Sequence, residues 1–285
     1  MEATRTIRAR KRDSITPSQY FVLALLCLGF LMVAYPLFWV LMSSLKTTEE
    51  ISLNVWSFPS VPQWTNYVNA WNRGISGYFV NSLIVTLSTI TGVIALSSLC
   101  AYGLSRYKAK WLNVVLVFVM GGMMLNPQVC LVPLYGLLTA LGIRNTYLAL
   151  IVPYVAFRLP LNTLLIRSFF LSVPKEIEES ATLDGCNGIQ TYSKIFLPMS
   201  RPILVTSAIL TAYYAWNEFL FAIIFIDSNK FRTIPAGLMS FRDALQIDWG
   251  PLLAGMAISA VPIMIFFISV QKYFIRGMMA GSVKG

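Results

Sequence analysis

Histidine is absent from the 285 residues. That removes the usual general base of hydrolytic triads and the commonest metal ligand. The four cysteines, Cys27, Cys100, Cys130 and Cys186, form no CxxC pair, so neither a disulfide framework nor a metal site is supported. No GxxxxGK[ST] loop occurs, so any ATP used must be bound by another chain. No recognisable nucleophile–base pair is present, so no catalytic residue and no cofactor is assigned. Charge is scarce at 12%, against about 25% in a soluble domain. Acidic residues number 12 and basic residues 22, yet the net charge of +10 does not imply nucleic-acid binding. The basic residues sit mostly in short loops, as membrane topology requires.

What remains is apolar: 56% hydrophobic residues, with a mean hydropathy of +0.67. Long uncharged runs alternate with short polar stretches. The expected fold class is all-α, a polytopic membrane protein, because only helices satisfy their own backbone in lipid over such runs. Residues 1–19 form a basic tail. The run at 20–42 is long enough to span, so it is expected to stay as a first helix and not to act as a signal peptide. Further spans are expected at 78–104, 111–134, 147–170, 203–226 and 249–274, giving a six-span domain over 20–274 and a tail at 275–285. On this topology six basic residues face outward: Lys46, Arg73, Arg144, Lys230, Arg232 and Arg242. Arg158 is inside a span, and the other fifteen face inward. The bias places both termini in the cytoplasm. Tryptophans at 56, 64 and 71 suit a membrane–water interface on the outer side.

One polar stretch is unlike the others. Residues 173–202 lie between two spans and hold four of the twelve acids: Glu176, Glu178, Glu179 and Asp184. Val173, Ile177 and Ala181 recur every four residues and make one apolar stripe. Glu176, Glu178, Glu179 and Thr182 lie off it. Pro174 suits a helix start and Gly185 a turn, after which a second short helix is expected over 189–196. From pattern alone this helix either docks on a partner or lies in the lipid headgroups.

These residues carry a resemblance. Glu179-Ser180-Ala181, Gly185 four residues later, and Ile195-Phe196-Leu197-Pro198 resemble the EAA loop of ABC-importer permeases. Ser180 stands where that motif usually has alanine. Asn81-Ser82-Leu83, Ala101-Tyr102-Gly103 with Arg106-Tyr107, Val132-Pro133-Leu134-Tyr135, Asn145-Thr146-Tyr147, Trp216-Asn217-Glu218-Phe219 and Tyr273-Phe274-Ile275-Arg276-Gly277 are similar to the carbohydrate-uptake branch, of the maltose-transporter second-permease type. The resemblance implies a six-helix permease of the bacterial cytoplasmic membrane. It implies a coupling helix with Glu178, Glu179, Ala181, Asp184 and Gly185 at the ATPase contact. The implied partners are a homologous permease, two ATP-binding subunits and an extracellular or periplasmic substrate-binding protein. The implied cargo is a sugar or oligosaccharide, with polyol and glycerol 3-phosphate also open.

Within the spans, Arg158 and Glu218 are the costly residues, at about 2.5–3.5 kcal/mol each on insertion scales. Two readings stand: both face the translocation pathway, or they hold the bundle together. Asn81, Asn217 and Trp216 are further pathway candidates, with Asn126 and Asn162 behind them. Each serves equally as a helix-to-helix bond. Pro127, Pro133, Pro153, Pro160 and Pro262 are expected to break or bend their helices. The outer loop at 227–248 is either a docking surface or a passive connector. A self-sufficient secondary transporter or channel is the alternative class. It would show an inverted repeat and several intramembrane carboxylates, and only Glu218 is present.

Overall fold

The computed structural model describes residues 17–241 and 247–282, with side chains from 18 to 269 in those stretches. The basic residues of the N-terminal tail, Arg242, and the side chains of Lys272, Arg276 and Lys284 lie outside the described residues. The described residues are helical, with no strand among them. In chain order the helices are α1 (Pro17–Ser43), α2 (Thr48–Leu53), α3 (Thr65–Ala70), α4 (Ser76–Arg106), α5 (Lys110–Gly122), α6 (Leu131–Ala140) and α7 (Leu148–Ser172). There follow α8 (Lys175–Leu183), α9 (Gly188–Thr191), α10 (Leu197–Met199), α11 (Arg201–Asn217), α12 (Leu220–Phe225), α13 (Ile234–Gly237) and α14 (Trp249–Ser282).

Four helices are long and apolar enough to cross a membrane: Ser18–Ser43, Thr65–Arg106, Leu148–Ser172 and Trp249–Ser269. A fifth crossing arises if Gly188–Met199 and Arg201–Asn217, bent by 76°, count as one. Two of the six expected spans are therefore not single helices. The run at 111–134 divides into α5 and α6. Asn126-Pro127 sits in the gap, where proline disfavours helix at the residue before it, and Asn126 Oδ1 accepts the backbone N–H of Gln128 at 3.0 Å. The run at 203–226 divides at Glu218, whose backbone is extended (φ −68°, ψ 123°). At the other prolines no helix is broken. α7 runs through Pro153 and Pro160, and α14 through Pro262, while Pro133 sits in the tolerant first turn of α6. The tail expected from 275 starts as a continuation of α14, which reaches Ser282.

The core is the pairing of α4 with α7, and α11 packs across both and onto α14. Small residues let the helices approach. A methyl at Gly92 would stand 2.9 Å from Val155 Cγ2. Ser97, Ser98 and Ala101 of α4 are fully buried. α1 rests chiefly on α14 and exposes apolar residues along most of its length, as a lipid-facing helix does. The end of α1 is tied to the next loop by Trp39 Nε1 donating to Val55 O and by Tyr35 stacked on Trp56 at 5.8 Å.

Candidate functional site

The 173–202 loop forms a compact unit. Val173-Pro174 is extended, and α8 then turns its stripe inward: Val173 and Ala181 are buried and Ile177 is half-buried. Val173 and Ile177 pack with an aromatic cluster of Tyr102, Phe170 and Phe196. Phe196 lies 5.3 Å from Tyr102 and 5.4 Å from Phe170, ring centre to ring centre. α8 ends in a complete Schellman motif. The N–H of Cys186 donates to Ala181 O and that of Gly185 to Thr182 O. Gly185 sits at φ +81°, a conformation that residues with a Cβ rarely adopt. Asn187 and Gln190 then form a reciprocal capping box at the start of α9. From there a wide π turn, Tyr192–Phe196, and α10 lead to the bend before α11. The Tyr192 and Ser98 hydroxyls share a hydrogen bond of 2.7 Å, which fixes this second half to α4.

The outward side of the loop carries both charge and grease. Glu176, Glu179 and Asp184 are exposed, and so are Leu183 (88%) and Ile189 (79%) on either side of the glycine turn. Two exposed aliphatic side chains thus flank a fixed turn. Neither is distinguishable by sequence from the apolar residues that the same short helices bury.

Arg106 entered the sequence reading only as part of a motif, with no role of its own. It ends α4, and its guanidinium donates to the carbonyls of Phe170 (2.5 Å) and Val173 (3.0 Å). It lies 4.5 Å over the Phe196 ring and 3.5 Å from Glu178. One nearly buried cation therefore joins the ends of α4 and α7, the start of α8 and the π turn. Glu178 belongs to this tie and not to the outer surface, whereas Glu179 stays free of it. Arg106→Gln should cost about 2 kcal/mol, the range for hydrogen bonds from a charged donor. It should loosen α8 first, read as faster amide hydrogen exchange across Lys175–Leu183.

Arg158 and Glu218 do not pair. Two tyrosines stand between them. Glu218 accepts a 2.5 Å hydrogen bond from the Tyr154 hydroxyl, and Arg158 lies 5.0 Å over the Tyr214 ring. The tyrosine rings meet edge to face at 5.6 Å. Glu218 also accepts the backbone N–H groups of Phe221 (2.9 Å) and Ala222 (3.2 Å), capping α12 across the break. The structure thus engages this carboxylate fully. Asn162 is likewise engaged, donating to Arg158 O at 2.7 Å and accepting from Ser207 Oγ at 2.5 Å.

The remaining candidates separate. Trp216 is buried and donates to Ser259 O at 3.1 Å, joining α11 to α14. Asn81 is buried, donates to the carbonyls of Lys230 and Arg232, and accepts from the Tyr147 hydroxyl at 2.7 Å. It pins the segment after α12 onto α4 and α7. Asn81→Ala should cost about 1–2 kcal/mol, read as a lower unfolding temperature, with no change in the substrate concentration for half-maximal uptake. Asn217 is exposed, as is Asn126 in the gap before α6, and it lies one turn beyond the exposed Tyr213 on the same face of α11.

The face opposite the loop is held by polar ties. Arg144 pairs with Asp227 at 2.7 Å. Asn145, at φ +60°, accepts from the N–H groups of Asp227 and Ser228. Arg73 pairs with Asp248 at 2.6 Å, and buried Lys46 donates to the carbonyls of Asn54 and Val55. Hydrogen bonds from Ser60 and Thr47 hold the Glu50 carboxyl below its usual range. Among the described residues, no group of three histidine, cysteine or acidic side chains could hold a metal ion.

Comparison with known proteins gives the arrangement its context. The chain is 57% identical over 260 residues to the probable ABC transporter permease protein YurM of Bacillus subtilis (strain 168), covering 91% of this chain and 87% of that one. It is 38% identical over 210 residues to the trehalose/maltose transport system permease protein MalG of Thermococcus litoralis, covering 73% and 75%. In fold it is similar to a chain of a bacterial ABC transporter involved in import of the acidic polysaccharide alginate. That match has a TM-score of 0.79 at 20% identity and covers 91% of this chain and 98% of the other. Residues 16–280 match the model of the binding-protein-dependent transport system inner membrane component, and the chain belongs to that family of ABC transporter permeases.

Proposed function

We propose that this chain is one permease half of an ATP-driven importer for a sugar or oligosaccharide, and that α8 is its coupling helix. The observation that carries this reading is the loop itself: a helix seated by one face, closed by a left-handed glycine turn, and presenting Glu179, Asp184, Leu183 and Ile189 outward. A helix merely lying in headgroups has no need of that closure. Glu179, Asp184, Leu183 and Ile189 meet a separate ATP-binding subunit, while Ala181, Gly185 and Glu178 hold the helix in shape. A homologous permease and a second ATP-binding subunit complete the membrane assembly. A substrate-binding protein delivers cargo at the opposite face, where Arg144–Asp227 and Arg73–Asp248 brace the loops.

Six crossings fit this role. They are α1, α3 with α4, α5 with α6 as a divided third, α7, α11 with α12 as a divided fifth, and α14. The lysine and arginine bias puts the 173–202 loop and both termini in the cytoplasm. Discontinuous helices in transporters commonly border the substrate path. The break at Glu218 therefore marks the path, with exposed Tyr213 and Asn217 as the contacts and Glu218 as the cap that holds the break open. Glu218, Arg158, Trp216 and Asn81 then act as scaffold. Carbohydrate cargo follows from relatives named for trehalose and maltose, for diacetylchitobiose and for arabinooligosaccharides.

Purification from detergent-solubilised native membrane tests the assembly. A second permease and an ATP-binding protein should co-purify, and the associated binding protein should take up a sugar from a panel that includes polyols and glycerol 3-phosphate. A lone chain that transports without ATP would overturn the reading in favour of a secondary transporter or channel.

A further inference from the structure

A cavity of about 400 Å³ lies where the end of α4, the start of α5 and α7 meet. It is at the face of the 173–202 loop, because Arg106 of the same α4 end bonds Phe170 and Val173. Lys108, Lys110 and Arg167 line it, and no acidic side chain does. Lys108 and Lys110 have neither an ion pair nor a hydrogen bond among the described residues. Arg167 commits only Nε, to Leu104 O at 3.3 Å. Three cations thus share one hollow with no counter-charge, an arrangement that an anion relieves. The rest of the lining is of two kinds. Asn113 adds a neutral donor, and Leu112 and Leu116 make an apolar strip one turn apart, running from the charged end along α5. Trp111, 64% exposed beside them, marks the level of a membrane interface.

We propose that this cavity binds an anionic phospholipid, with its phosphate among Lys108, Lys110 and Arg167 and an acyl chain along Leu112 and Leu116. Basic hollows between helices at the cytoplasmic face are suited to such headgroups. Free phosphate shares the charge but makes no use of the apolar strip. The site also touches the coupling loop. Tyr107 lines the cavity, and its hydroxyl stands 2.8 Å from where a methyl on Gly188 would lie. A seated lipid therefore braces the side chain against which the second half of the loop rests.

Native mass spectrometry of the purified full chain in detergent tests this with phosphatidylglycerol, phosphatidylcholine and inorganic phosphate as probes. The wild type should retain one phosphatidylglycerol and no phosphatidylcholine, and excess inorganic phosphate should not displace it. The double variant Lys108→Gln/Lys110→Gln should lose affinity at least about tenfold, since each lysine near an anionic headgroup counts separately. Both lysines are exposed, so the fold does not depend on them. Lys194→Gln, an exposed lysine of the same face outside the cavity, should retain lipid as the wild type does. Wild-type retention in the double variant would overturn the proposal, as would equal retention of the two lipids, or displacement by phosphate. Retention is read without ATP or uptake, so its failure leaves the transport reading standing.

Discussion

Gly185→Val is expected to lower ATP-driven uptake at least about tenfold while the protein still reaches the membrane, as each 1.4 kcal/mol lost from the coupled state corresponds to one power of ten. The argument is conformational and not steric. Gly185 stands at φ +81° with nothing within 4 Å of where its Cβ would be, so the added Cβ meets no neighbour. It meets its own backbone instead, at about 1–2 kcal/mol for a left-handed residue and more with a β-branch. The chain escapes by leaving that conformation. The two bonds that close α8, Cys186 to Ala181 and Gly185 to Thr182, then open, and Leu183 and Ile189 lose their fixed spacing. Asparagine tolerates the left-handed region, so Gly185→Asn should retain most uptake. Parallel membrane abundance and uptake assays on the two variants check this. Normal uptake in the valine variant would remove the turn from the coupling mechanism.

Glu218→Leu is expected to destabilise the protein by on the order of 4 kcal/mol, because three donors lose their acceptor at once and each stranded donor costs about 1–3 kcal/mol. The donors are the Tyr154 hydroxyl and the N–H groups of Phe221 and Ala222. The break between α11 and α12 should collapse or fray, and unfolding temperature in detergent should fall sharply. Glu218→Gln keeps one carbonyl oxygen, enough for Tyr154 and Ala222, and sets its amide N–H2 against the Phe221 N–H, so it should lose about 1–3 kcal/mol, less than the leucine variant, and still fold and transport. A folded Glu218→Gln protein with no uptake would instead give the negative charge itself a place in the pathway.

The loop at 173–202 could be read because it is punctuated. In a chain this apolar, four acids, three prolines and two glycines in one stretch have few alternative arrangements, and the stripe Val173, Ile177 and Ala181 faces inward. The divided crossings could not, because hydropathy averages over a window. One carboxylate among residues such as Phe219, Leu220 and Ile223 scarcely moves that average, although it is the group that caps the second piece. The division near Asn126-Pro127 did leave a mark, since proline there was expected to interrupt a helix. Arg106 was hidden for a different reason. Its partners Phe170, Val173 and Glu178 are more than sixty residues away, and spacing along a chain says nothing about a contact of that kind. The tyrosines that separate Arg158 from Glu218 were hidden likewise. A sequence shows two opposite charges but not the rings packed between them.

The bend before α11 gives this bent helix pair the geometry of a lever. One arm is the twelve-residue run Gly188–Met199, and the other is the seventeen-residue α11, set at 76° to it. At 1.5 Å per residue the arms are about 18 and 25 Å long. An elbow that keeps its angle returns a push at the tip of the short arm as a sideways swing of the long arm's far end, roughly 1.4 times larger by the ratio of those lengths. The far end is Asn217, at the interrupted helix. A small rotation of the short arm would thus arrive enlarged at the point where the helix is already divided and least able to resist it.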